Sequence, residues 1–370
     1  MKAGITPRIA PTMAMAMAAI LLAGTLHAEP NYDFLPLALD PGQEEFPEGI
    51  AVDHRGNLYF SLAPRGEIWG ASPGGKVRRL AVLDPQLPPD ANGVLGLAEW
   101  KGDVYAALMA CNAEECNDTH GVWRIRNGTD GHGQKHRLAG TEHIPFPNAL
   151  AFGRHGELYV SDSLTGAVWV LYRLRDRHPG NSCRHAHDGP FSAPEIWRQH
   201  EALRGTGDLG LGAPIGANGI AYSRGSGKRR DEILAANTER GSLLAIPVRR
   251  DGAAGEPAVV AQDIALVTVD GITVDRYGDV FALTVARIGP SGLEPVSRLL
   301  HVDRATGEIR PVLEGAPLHF STSLAFGRTP ATEESVFVTN WALLAPLFGL
   351  APEPAIVRVD LDHSWFVVDE

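Results

Sequence analysis

Gly49-Ile50-Ala51-Val52-Asp53, a turn, then Asn57-Leu58-Tyr59-Phe60-Ser61 reads as two short strands joined by a tight connection. The same sequence of features, a small residue, aliphatics, a turn and a β-rich run, returns five times. The copies are Gly96-Leu97-Ala98 with Asp103–Ala106, Ala149-Leu150-Ala151-Phe152 with Glu157–Asp162, Gly219-Ile220-Ala221-Tyr222 with Glu232–Ala235, Gly271-Ile272-Thr273-Val274 with Asp279–Ala282, and Ser323-Leu324-Ala325-Phe326 with Ser335–Val338. The copies are spaced by 47, 53, 70, 52 and 52 residues. A fixed period near fifty residues marks a repeat architecture.

Each copy continues into two more strand candidates, such as Glu67-Ile68-Trp69 and Val77–Leu83 in the first. Four short strands per ~50 residues predict a propeller blade. One blade cannot bury both its faces, whereas six arranged radially can, and closing the ring protects the edges. The fold class expected is all-β: a six-bladed β-propeller of four-stranded blades, residues 29–370, as one domain. A β-helix coil is shorter than this period, and a sandwich does not repeat. Ring closure is expected to pair the segment after Tyr32 with Ala355–Leu361 and Ser364–Asp369. The spacing of 70 locates an insertion at about 173–195 that holds Cys183, His185, His187 and Asp188. A loop of that length reads as a functional segment or lid. Trp69, Trp123 and Trp169 share one phase in the third strands and read as packing residues.

Residues 1–28 read as a cleaved signal peptide, with Lys2 and Arg8 before the apolar stretch Met13–Leu22 and a small residue at Ala28. The expectation is a periplasmic or secreted protein. Cleavage removes two positive charges, taking the net charge from -11 to -13. So acidic a chain is a poor partner for nucleic acid or an anionic membrane. No later apolar run reaches the ~18 residues of a membrane span. Export places Cys111, Cys116 and Cys183 in an oxidising compartment, where Cys111 and Cys116 could close a small loop or either could pair with Cys183.

The residues just before the six repeats are Glu48, Leu95, Asn148, Asn218, Asp270 and Thr322. In a propeller, equivalent positions at one end of the innermost strands converge on the axis. Glu48, Asn148, Asn218 and Asp270 then offer two carboxylates and two amides around one point. An all-oxygen set of charge -2 suits Ca²⁺, with Zn²⁺ or Mn²⁺ as alternatives. Any one Asn or Asp before glycine is an ordinary turn residue. Four at one phase in different blades are not explained that way.

Phe46-Pro47-Glu48-Gly49-Ile50-Ala51, Phe146-Pro147-Asn148-Ala149-Leu150-Ala151-Phe152, Ala217-Asn218-Gly219-Ile220-Ala221 and Val269-Asp270-Gly271-Ile272 resemble the four ligand motifs of the gluconolactonase/regucalcin (senescence marker protein) propellers. Paraoxonase and diisopropylfluorophosphatase share that arrangement. The resemblance implies a divalent-cation-dependent hydrolase of lactones, aryl esters or organophosphates. It implies Asp270 as catalytic carboxylate, acting as base or nucleophile, Glu48 as ligand, and Asn148 and Asn218 as ligands that also orient substrate. Sugar-lactone hydrolases of this type usually show Pro and Trp near Ile50-Ala51, and a basic residue at the position of Phe146. These departures point to a more apolar lactone or ester.

His319 and Thr322 precede the sixth inner strand and are expected at the same mouth, His319 as a general base or further cation ligand and Thr322 in substrate binding. No Walker-type loop and no nucleophile elbow occurs. The alternative reading is a ligand- or protein-binding propeller of the NHL type with a structural calcium. A strictosidine-synthase-like condensing propeller is a third.

Overall fold

A computed structural model describes residues 29–88, 91–112, 115–126, 134–174, 190–210, 212–225 and 229–366. The expected signal peptide and Cys183 lie outside these residues. Among them, no helix is long and apolar enough to cross a membrane.

The repeats fold as expected, into six four-stranded antiparallel sheets. The first blade runs Pro47–Val52, Leu58–Leu62, Glu67–Ala71, Val77–Val82 from axis to rim. The next three begin with innermost strands Gly93–Trp100, Pro147–Phe152 and Ala217–Ser223, and the fifth with Val269–Val274. The sixth sheet is composite, in the order Ser321–Phe326, Ser335–Asn340, Ala355–Asp360, and then Asn31–Phe34 from the other end of the chain. The N-terminal strand is therefore outermost, with Asn31 opposite Asp360 and Phe34 opposite Val357.

Of the segment Ser364–Asp369, expected as a strand, the described residues Ser364–Phe366 are not one. His363–Phe366 is a 3-10 turn, begun when Asp362 accepts the Ser364 N–H at 2.8 Å. Trp365 and Phe366 are thereby buried under the fifth and sixth blades, with Phe281, Leu299 and Val338.

The core lies between blades rather than within one. Tyr59, Ile68 and Leu80 of the first blade pack on Val94, Val104 and Ile125 of the second. Val168 and Val170 of the third pack on Ile220, Ile233 and Leu244 of the fourth. The three tryptophans of the third strands join such clusters, and each indole N–H is occupied, that of Trp69 by Glu67 Oε2 at 2.8 Å.

Every innermost strand has a register shift at its start, between Pro47 and Ile50 in the first blade and between Ala217 and Ile220 in the fourth, for example. The residue before each repeat sits in that bulge. A bulge turns a side chain out of the strand's alternation, which here directs it to the axis. The small residue that follows allows the bulges to crowd together. A Cβ on Gly219 would lie 2.2 Å from the Asp270 carbonyl oxygen of the next blade, and one on Gly49 would lie 2.2 Å from the Leu95 carbonyl oxygen. Gly219→Ala is therefore expected to separate the fourth and fifth blades and cost about 1–3 kcal/mol, as overpacking does. Thermal unfolding measures this, and an unchanged melting temperature would show that the ring has slack there.

The direction of the strands settles the insertion. First and third strands of a blade run the same way, so a third-to-fourth connection leaves on the face opposite the bulges. The insertion joins Ala167–Leu171 to Glu195–Gln199. Its ends meet at Arg173 and Phe191, where Arg173 donates to the Tyr105 hydroxyl at 2.8 Å and lies over the Phe191 ring. The described ends of the insertion thus leave the blade on the face opposite the bulges, and residues 175–189, with the expected Cys183, His185, His187 and Asp188, lie outside the described residues.

Candidate functional site

Glu48, Asn148, Asn218, Asp270 and Thr322, from five innermost strands, line a single cavity of about 320 Å³. Glu48 is 6% exposed, and its Oε2 is buried without a hydrogen-bond partner. Asp270 is half-buried. No Lys, Arg or His lines the cavity among the described residues. Burial, and then the nearby Asp270, push the Glu48 carboxyl well above its usual range. Burial pushes Asp270 up to about 7, and the Asn218 amide beside it works the other way. Two buried carboxylates without a neighbouring cation are costly when ionised.

The amides complete the set. Asn148 Nδ2 donates to Ser163 Oγ at 3.0 Å, and Asn218 Nδ2 donates to Thr238 Oγ1 at 3.1 Å. Each nitrogen thus makes one bond within its own blade, and the Asn218 side chain also hydrogen-bonds Asp270 of the next. The donor chemistry is all oxygen, with two negative charges and an orphaned buried carboxylate oxygen. That fits a hard divalent cation. Thr322 lies at the seam, where its Oγ1 donates to the Glu48 carbonyl at 3.1 Å and Thr339 Oγ1 donates to the same oxygen at 2.6 Å.

His319 is not brought into the cavity. Its backbone N–H donates to Asn340 Oδ1 at 3.2 Å and its ring packs edge-on against Phe320. Phe320 takes the place on the wall. Phe320 stands two residues before Thr322, also on the wall, and has a left-handed φ of 48° at the entry to the sixth inner strand.

The rest of the wall is mostly apolar, with Asn92, Thr238 and Thr268 as its polar members. Leu95 and Phe146 come from the second and third blades, Ile215 from the run before the fourth, Leu293 from a hairpin of the fifth, and Trp341, Leu344 and Phe348 from the sixth. Sequence reasoning missed most of these, because they sit between blades and share no repeat phase. It also missed Glu239, whose carboxylate is buried and accepts the backbone N–H groups of Thr206 and Ile215. Glu239 thereby pins the glycine-rich run 205–216 that carries Ala213 and Ile215. Its signal was a run of glycines at the mouth with no strand pattern.

Cys111 and Cys116 form a disulfide, closing the pairing left open by sequence. With His120 they form the one group of three potential metal-binding side chains among the described residues that offer His, Cys, Asp or Glu atoms close together. The bond between the sulfurs removes both thiolates, so this group is structural. Behind the cavity wall, Cys111 packs with Leu95, Met109 and Phe146.

A propeller with ligand-type residues in axial bulges can be compared with known structures. A gluconolactonase from Xanthomonas campestris superposes with a TM-score of 0.53 at 17% identity, over 86% of this chain and 86% of that one. The calcium-binding protein regucalcin from Agrobacterium tumefaciens does so with 0.53 at 14%, over 86% and 90%. The fold is that of the gluconolactonase and regucalcin propellers. A luciferin-regenerating enzyme shares this propeller too, with a TM-score of 0.57 at 14% identity over 90% of this chain and 95% of that one. At such identities the likeness is one of fold alone. Residues 37–71, around the first inner strand of the propeller, match a family model described as strictosidine synthase-like, N-terminal. No curated protein matches the chain.

Proposed function

We propose that this protein is an exported, divalent-cation-dependent hydrolase of an apolar lactone or aryl ester, with Ca²⁺ the cation its donors suit best. The supporting observation is the cavity floor: two carboxylates and two amides whose nitrogens each bond a buried hydroxyl, with no cationic side chain among the described lining residues. Bound there, a divalent cation supplies Lewis acidity toward a carbonyl oxygen. Glu48 would hold it, with Asn148 and Asn218 as further ligands that would also orient the substrate. Asp270 acts as base toward water or as nucleophile toward the carbonyl carbon. Hydrolysis in ¹⁸O water under single turnover separates these roles, since label enters Asp270 only if the carboxylate attacks. The similar structures, a gluconolactonase and a calcium-binding regucalcin, agree with this reading.

The wall argues for an apolar substrate, and Phe146 makes that testable. Phe146→Arg is expected to lower kcat/KM for an alkyl-substituted aryl ester about tenfold and to spare a hydroxylated sugar lactone. One misplaced group in an apolar pocket is worth about that much. Equal losses on both substrates would remove Phe146 from specificity.

The experiment for the reading as a whole is a hydrolysis screen over lactones, aryl esters and phosphotriesters, with and without chelator. Hydrolysis abolished by chelation and restored by Ca²⁺ is the expected result. Hydrolysis indifferent to chelation overturns the metal role. The match of residues 37–71 favours one rival, a condensing propeller, because it overlaps the Glu48 motif. It does not reach Asn148, Asn218 or Asp270. Amine–aldehyde condensation without hydrolysis in the same screen would favour that rival.

A further inference from the structure

We infer that Ser163 and Thr238 are positioning residues that hold Asn148 and Asn218 with their amide oxygens toward the cation site. The inference rests on the proposed divalent-cation site. An amide offers an oxygen at one end and an NH₂ at the other, and only the oxygen binds a cation. Something must therefore choose the end, and the hydroxyls do so by their proton count. Ser163 Oγ donates to the Ala217 carbonyl at 2.9 Å, and Thr238 Oγ1 donates to the Val269 carbonyl at 2.7 Å. A hydroxyl has one proton. With it committed, each hydroxyl can only accept from the amide beside it. Asn148 and Asn218 must then present NH₂ to Ser163 and Thr238, which turns Oδ1 away from the hydroxyl. Both hydroxyls are buried, Ser163 at 0% and Thr238 at 5% exposure, so water does not replace them.

Their distribution around the ring follows the ligand type. Each is the first residue after its blade's second strand, Leu158–Asp162 or Glu232–Asn237. The same place holds Ala63 in the first blade, Ala110 in the second, Val285 in the fifth and Trp341 in the sixth. Hydroxyls occur in the two blades that contribute an amide and in no other. The blades of Glu48 and Asp270 have none, because either oxygen of a carboxylate serves. A role in satisfying strand-end carbonyls would not follow this division.

The bonds also connect successive ligands. Ser163 joins Asn148 to the carbonyl just before Asn218, and Thr238 joins Asn218 to the carbonyl just before Asp270. Three of the four ligands thus share one hydrogen-bonded path.

The test is isothermal titration of chelator-stripped protein with Ca²⁺, with thermal unfolding of the same samples. Thr238→Val keeps the shape and removes the hydroxyl. It is expected to weaken Ca²⁺ binding about tenfold, or 1.4 kcal/mol, while Thr238→Ser stays within about twofold of wild type. Ser163→Ala is expected to act in the same direction. An orienting role has a further signature. In an Asn218→Asp background the ligand needs no orienting, so adding Thr238→Val should cost at most about twofold. Wild-type affinity in Thr238→Val overturns the inference and leaves the cation site standing. An undiminished tenfold loss in the Asn218→Asp background also overturns it, as a merely structural effect. No Ca²⁺ binding by wild type overturns the proposed site itself.

Discussion

Asp270→Asn is expected to keep the fold and lower kcat by more than about 100-fold, a loss of about 3 kcal/mol in barrier terms. The substitution preserves volume and leaves an oxygen to face the cation, so binding should survive better than turnover. What it removes is the negative charge needed to take a proton or attack a carbon. Asp270 is suited to this because it is half-buried in a cavity with no cationic side chain among the described residues. The measurement is kcat at saturating Ca²⁺ on the best substrate of the screen. Turnover near wild type would move the catalytic role to another group, with Glu48 the remaining carboxylate of the cavity.

Glu48→Gln should separate stability from function. Its carboxyl is raised well above the usual range, chiefly by burial. A carboxyl raised in the folded state weakens folding as pH climbs from the unfolded pKa through the folded one. At pH 8 the cation-free wild type therefore carries a penalty that Gln does not. Chelated Glu48→Gln should melt roughly 2–4 °C above chelated wild type at pH 8. The difference should close as pH falls toward about 4.3, where the unfolded carboxyl also protonates. With saturating Ca²⁺ the order should reverse, and hydrolysis by the variant should be lost. A chelated variant less stable than wild type at pH 8 would mean that Glu48 has a compensating partner in the folded protein.

The propeller was legible because its repeat is carried by residues with one local task. The small residue at Gly49, Gly96, Gly219 and Gly271 is required by the crowding of bulges, and the residue before it is aimed at the axis by the same bulge. Fold and floor are therefore written at one phase. The wall is not. Leu293 belongs to a hairpin of its own and Phe348 to a turn of the sixth blade, and nothing in a periodic pattern says which connections fold inward. His319 was placed by its nearness to Thr322 in sequence, whereas it is Phe320, two residues from Thr322, that shares the wall with it. Ser364–Phe366 was read as strand because Trp365 and Phe366 are as apolar as a strand would be, and only Asp362 hints at a turn.

The sixth sheet carries a kinetic implication. Asn31–Phe34, the earliest strand of the blades to be synthesised, hydrogen-bonds to Ala355–Asp360, the latest. A chain emerging N-terminus first cannot satisfy that pairing until nearly all of it has been made. So distant a closure is slow, because loop entropy must be overcome before the contact forms. The seam where Thr322 and Thr339 reach the Glu48 carbonyl likewise waits for the sixth blade, so a nascent or truncated chain holds finished sheets and still lacks an assembled centre.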